Sequence, residues 1–90
     1  MSKRIEIEHI LHDIGNYLEE TLNYSQIKEK ISIDTDLFWD IGLSSIEYMQ
    51  LISEMEAKYD ILFSLETMEL KGTVREIIEI VLKQAGGAGR

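Results

Sequence analysis

The sequence predicts an all-α fold: a four-helix bundle of three longer helices and one short helix, with a long loop between helices one and two. Three observations predict it. Apolar residues recur at three- and four-residue spacing in three separate segments, the period of a helix that buries one face. Two of those segments open on Ser/Thr-x-x-Glu, the signature of a helix start. No proline occurs in the chain and glycine is scarce before its end, so little interrupts helices, and strand patterning is weak.

The first helix is expected from about Ser2 to Leu22, with Ile7, Ile10, Leu11, Ile14, Leu18 and Leu22 as its apolar stripe. Gly15 inside it costs ~1 kcal/mol, which the stripe offsets. The second is expected from Ser45 to Tyr59, with the stripe Ile46, Met49, Ile52, Met55 and Tyr59. Ser44-Ser45-Ile46-Glu47 fits a capping box, with Ser44 as the cap and Glu47 reaching back. A short third helix is expected around Leu65, Met68 and Leu70, stopped by Gly72. Thr73-Val74-Arg75-Glu76 opens the fourth as a second capping box, and Val74, Ile77, Ile78, Val81 and Leu82 form its stripe up to about Gln84. Between helices one and two runs Asn23 to Leu43, a connection long enough to suggest function. Ile27, Ile31, Ile33, Leu37, Phe38 and Trp39 are apolar enough to pin it across the bundle, with one helical turn at Gln26 to Lys30. Residues 1–84 are therefore read as one domain, and residues 85–90, rich in glycine, as a flexible tail.

Composition narrows the function. Seventeen acidic and nine basic residues leave a net charge of −8, so a basic patch for nucleic acid is not expected. The absence of cysteine excludes disulfides and thiolate metal sites. No apolar run approaches the ~20 residues needed to span a bilayer, and Met1 to Glu8 mixes charge with isoleucine rather than forming a signal peptide. A cytoplasmic monomer is the expectation. From Asp34 to Glu79 there are eleven acidic and three basic residues, so this part carries the whole excess of −8. Such a one-sided field is either a solvated face or a means of steering a basic partner.

The richest stretch is Asp34 to Glu47. A calcium loop starting at Asp34 requires Gly and Glu where Trp39 and Ser45 stand, so that reading fails. Ser45 is the better candidate. With Ser44 capping, Ser45 falls in the first turn of the helix, where a phosphate on its hydroxyl is favoured by the helix dipole and free N–H groups by ~0.3–1 kcal/mol. Gly42 permits a sharp turn just before the cap. The plainer alternative is that both serines only cap. His9 and His12 lack a third positioned metal ligand, and no histidine neighbours Ser45 in sequence to form a hydrolase triad. Trp39 reads as a loop anchor in the core, with the partner interface as the second option.

Asp36-Leu37-Phe38-Trp39-Asp40-Ile41-Gly42-Leu43-Ser44-Ser45-Ile46-Glu47 resembles the attachment motif of the acyl carrier protein family, Asp-Leu-(Phe)-x-Asp-(Leu/Ile)-Gly-x-Asp-Ser-(Leu/Ile)-(Asp/Glu). The resemblance continues through Leu51, Glu54, Glu56, Tyr59 and Ile61 and returns at Thr73-Val74. It implies a non-catalytic carrier whose Ser45 receives 4′-phosphopantetheine from coenzyme A through a phosphopantetheinyl transferase. The arm would supply the thiol that a cysteine-free chain lacks and hold acyl or aminoacyl groups as thioesters. The resemblance further implies that Asp40, Glu47, Glu54 and Glu56, with Ile46 and Met49, dock basic patches on loading, synthase and transferase enzymes. Ile46, Met49 and nearby apolar groups complete that patch or line a cavity for the acyl chain; the four methionines read first as adaptable packing, with Met49 and Met55 as cavity lining the alternative. Ser44 stands where fatty-acid members usually have Asp, Gln50 where they commonly have Glu and Leu62 where an acidic residue is common. The two-glycine form of peptidyl carriers is absent, since Ile41 precedes Gly42. The pathway expected is of polyketide, nonribosomal peptide or fatty-acid type, with the first two favoured. The rival reading is an unmodified acidic helical interaction module of the same fold.

Overall fold

Ile10, Ile14 and Leu18 recur every fourth residue and are wholly buried. They set which side of α1 (Ile7–Glu20) faces the core. In the computed structural model, residues 6–63 and 72–86 are described. The start of the first expected helix and the short third helix after Ser64 lie outside the described residues. The remaining elements are all helical: α2 (Ile27–Lys30), a π-helical turn (Leu37–Ile41), α3 (Ser45–Tyr59), α4 (Val74–Val81) and a second π-helical turn (Leu82–Gly86) that prolongs α4. Among the described residues there is no strand beyond one isolated bridge, and no helix is long and apolar enough to cross a membrane. The all-α class therefore holds.

α1 lies against α2, α3 and α4. The core joins its three residues to Tyr48, Leu51, Ile52 and Met55 of α3 and to Val74, Ile77, Ile78 and Val81 of α4, all buried. Each such aliphatic side chain stabilises the fold by ~1.5–3 kcal/mol relative to exposure. Gly15 has a packing role that the helix pattern does not show. A Cβ there would sit 3.3 Å from Lys28 Cγ and 3.4 Å from Ile31 Cγ2, so its bare face lets α2 come close.

Two expectations are corrected. In α3, Ile52 and Met55 are buried as the stripe requires, but Ile46 and Met49 face outward at 73% and 40% exposure, and Tyr48 and Leu51 take the core positions. The helix carries apolar residues on two faces, and periodicity alone does not say which turns inward. In the loop, Leu37 is buried and Phe38 packs on Tyr48 with ring centroids 4.9 Å apart. Trp39 is 88% exposed instead of anchored, because the π-helical turn directs residues 37, 38 and 41 inward and residues 39 and 40 to solvent. The other expected anchors, Ile27, Ile31 and Ile33, do pack on the core.

The long connection is thus ordered at several points. Lys28 N–H donates to Glu19 Oε1 at 3.1 Å. Further on, backbone bonds tie residues 33–37 to the entry to α4: Leu37 N donates to Gly72 O (2.7 Å), Val74 N to Thr35 O (3.0 Å) and Arg75 N to Ile33 O (3.0 Å). The Arg75 guanidinium meets Asp34 at 2.6 Å. Thr73 caps α4 by accepting from Glu76 N at 3.3 Å; only this half of the expected second box forms.

Candidate functional site

The site is built from the turn before α3. Asp36 Oδ1 accepts from Phe38 N (2.9 Å) and Trp39 N (2.8 Å), and Asp36 N donates back to Asp40 Oδ2 (2.8 Å). These three bonds start the π-helical turn. Gly42 ends it in the left-handed region, φ +89°, with its N–H on Leu37 O at 3.1 Å. Among the described residues nothing crowds Gly42, so glycine is needed there for backbone conformation and not for space. Leu43 is buried and fastens the turn to the core.

Ser44 then adopts extended backbone and caps α3. Its Oγ accepts from Glu47 N at 3.1 Å, and its own N–H donates to Glu47 Oε1 at 3.0 Å, which completes the expected capping box. A third group joins it: Tyr24 OH donates to the same Oε1 at 2.6 Å from 23 residues away. The Ser44 N–H, and after it the Tyr24 hydroxyl, hold the Glu47 carboxyl below its ordinary range. The Tyr24 phenol is pushed up in turn, first by that hydrogen bond. The start of the long loop is therefore tied to the start of α3.

Ser45 is the first residue of α3 and is exposed. Among the described residues its hydroxyl makes no hydrogen bond, whereas the Ser44 hydroxyl is committed to the cap. Ser45 stands at the positive end of a 15-residue helix. Beside it opens a groove of about 530 Å³ lined by Ser45, Ile46, Met49, Gln50, Ser53 and Glu54 of α3 and by Tyr17 of α1. A free hydroxyl, a helix start that favours phosphate and an adjoining groove together fit a phosphate-linked arm on Ser45.

The sequence-selected residues divide into two groups. Ser45, Ile46, Met49 and Glu54 share the groove. Met55 is wholly buried in the core and does not line it. Asp40, Glu47 and Glu56 each place one carboxylate oxygen in an internal bond: Asp40 with Asp36 N, Glu47 with Ser44 N and Tyr24, and Glu56 with Phe63 N at 2.8 Å. One oxygen of each is therefore structural. Sequence reasoning missed Tyr24, Tyr17 and Ser53, and named Gln50 only as a departure from the family's usual Glu. The four-residue spacing Ser45, Met49, Ser53 was the available signal for the groove; the Tyr24 contact has no local signal. On α1, His9 faces Asp13 at 3.5 Å. Asp13 also accepts from Tyr59 OH and meets Lys58 at 3.9 Å.

An exposed serine at a capped helix start of an all-α module is the arrangement expected of a small carrier domain, and the comparisons with known proteins supply that class. A family model described as phosphopantetheine attachment site matches residues 12–81. The chain is 27% identical over 77 residues to an acyl carrier protein of Coprothermobacter proteolyticus, covering 86% of this chain and 92% of that one. It is 28% identical over 75 residues to an acyl carrier protein of Cyanidium caldarium, covering 83% and 85%. It is 29% identical over 77 residues to one of Exiguobacterium sibiricum, covering 86% and 95%. No solved structure matches significantly. The chain belongs to the phosphopantetheine attachment family, that of the acyl carrier proteins. Its prosthetic group is covalently attached 4′-phosphopantetheine.

Proposed function

We propose that Ser45 is the residue that takes the 4′-phosphopantetheine and that the chain, itself without catalytic activity, presents acyl or aminoacyl thioesters to partner enzymes of a polyketide, nonribosomal peptide or fatty-acid type pathway in the cytoplasm. The observation that carries this reading is the division of labour between the two serines: Ser44 Oγ is occupied by Glu47 N, while the Ser45 hydroxyl is exposed and unengaged among the described residues. When bound, the group supplies the thiol for thioester chemistry that a chain without cysteine does not contain.

The chain's own contribution is positional. The Gly42 turn, the buried Leu43 and the capping box set where Ser45 Oγ projects. Among the described residues no base lies in hydrogen-bond contact with that hydroxyl, so its proton must be taken by the transferase. The α3 dipole favours the phosphodiester formed there. A flexible arm then raises the local concentration of cargo at each enzyme that docks. Asp40, Glu54 and Glu56 supply negative charge for basic partner surfaces, with Ile46 and Met49 as the apolar contact. Glu47 adds charge while holding the cap.

The test is an intact mass after incubation with coenzyme A, magnesium and a broad-specificity phosphopantetheinyl transferase. The parent and Ser44→Ala should each gain one phosphopantetheine, and Ser45→Ala none. A gain in Ser45→Ala overturns the site. No gain in the parent with several transferases overturns the carrier function in favour of an unmodified interaction module.

A further inference from the structure

We propose that the groove beside Ser45 is a cargo site selective for a thioester ending in an ammonium group, that is, an aminoacyl cargo, over a neutral acyl or a carboxylate-ended one. The inference rests on Ser45 being the attachment residue.

The groove starts at Ser45 and follows one face of α3 for more than two turns, walled on its other side by Tyr17 of α1. Its character changes along its length. Ile46 and Met49, nearest the attachment point, are apolar and exposed. Farther along come Ser53 and Glu54. Glu54 lies nine residues beyond Ser45, about 13.5 Å of helix rise, which an extended phosphopantetheine arm spans.

The polar lining is matched to a cation. Ser53, Gln50, Tyr17 and Glu54 all offer acceptor oxygens, and among the described residues no Lys, Arg or His lines the groove. Lys58, one helical turn from Glu54, reaches Asp13 instead, at 3.9 Å. Among the described residues the Glu54 carboxylate has neither an ion pair nor a hydrogen bond. It lies near enough to the Tyr17 phenol to help burial push that hydroxyl up. An ammonium placed between them gains the carboxylate charge, the phenolic oxygen and the ring face. A carboxylate-ended cargo meets like charge there. A neutral alkyl end covers Glu54 without a compensating partner.

The full chain is loaded at Ser45 from coenzyme A analogues whose cargo is joined through a stable amide: β-alanyl, its neutral isostere butyryl, and succinyl. Loading is driven to completion and verified by intact mass. The Met49 methyl and the Ser53 and Glu54 amide resonances are then compared by NMR. The β-alanyl form should shift all three relative to the butyryl and succinyl forms, and the difference should vanish in Glu54→Gln. Equal shifts for β-alanyl and butyryl, an equal shift for succinyl, or a difference that survives in Glu54→Gln overturns the proposal. A chain that gains no mass, or gains it in Ser45→Ala, refutes the attachment reading instead.

Discussion

Gly72→Ala should be among the most damaging single changes, although it adds one methyl group. Gly72 lies in the left-handed region at φ +79°. A Cβ there would stand 2.4 Å from Phe38 Cδ2 and 2.8 Å from Cε2. Left-handed backbone costs a residue with a Cβ about 1–2 kcal/mol. Displacing a packed ring costs about 1–3 kcal/mol more, which sums to about 2–5 kcal/mol against a total stability of about 5–15 kcal/mol. At a urea slope of about 2 kcal/mol/M the midpoint falls by about 1–2.5 M. Repeating Gly72→Ala in a Phe38→Ala background separates the two contributions. Without the ring only the backbone cost should persist, so the coupling energy should be about 1–3 kcal/mol. A cost below about 0.5 kcal/mol, or the same cost in both backgrounds, would refute the reasoning. The consequence reaches the site, because Gly72 O holds Leu37 N at the head of the turn that leads to Ser45.

Tyr48→Phe should leave stability at neutral pH unchanged or raised, since the buried hydroxyl has no partner among the described residues; a loss above about 1 kcal/mol in urea would show a missed bond. Burial, and then the Glu76 charge, push that phenol from its ordinary 10 up to about 12. Its contribution is therefore complete below pH 10 and lost as pH rises from 10 to about 12, and alkaline unfolding should be shallower over that window in Tyr48→Phe. Tyr24→Phe should let the Glu47 carboxyl titrate closer to its ordinary value, read by carboxyl-carbon NMR; an unchanged titration would mean that Tyr24 does not hold the cap. Because that carboxyl is depressed in the fold, the stability it gives is present above its unfolded value and lost as pH falls through the folded one. Binding to a basic partner enzyme should weaken as salt rises, measured by titration calorimetry at two ionic strengths, whereas salt-insensitive binding would assign recognition to Ile46 and Met49 rather than to charge.

The boundaries of α3 were legible because a capping box is a local code: Ser44 and Glu47 satisfy each other within one turn, and no distant group decides it. Its inward face was not. Ile46 and Met49 obey the helical period as well as Tyr48 and Leu51 do, and the choice between the faces is made by α1 and α4, which lie elsewhere in the sequence. Trp39 failed for a related reason. Size and apolarity suit both a core anchor and a surface aromatic, and the π-helical turn starting at Asp36 settles the matter by turning Phe38 inward and Trp39 out. The attachment motif was readable because its residues are contiguous. Tyr24, which fastens that motif from 23 positions away, leaves no trace in spacing. Gly15 looked like a defect in a helix because its use, the approach of Lys28 and Ile31, is visible only in three dimensions.

The chain has a single tryptophan, and it stands 88% exposed in the turn just ahead of Ser45. Trp39 is thus a fluorophore already installed beside the attachment residue, with no second indole to obscure it. Its emission should move to shorter wavelength when a partner covers that turn. Unfolding, which leaves an already hydrated indole in water, should move it little. Arrival of a partner that itself lacks tryptophan and loss of the fold would then be separable in one sample, and docking could be timed by stopped flow without altering a residue of this chain.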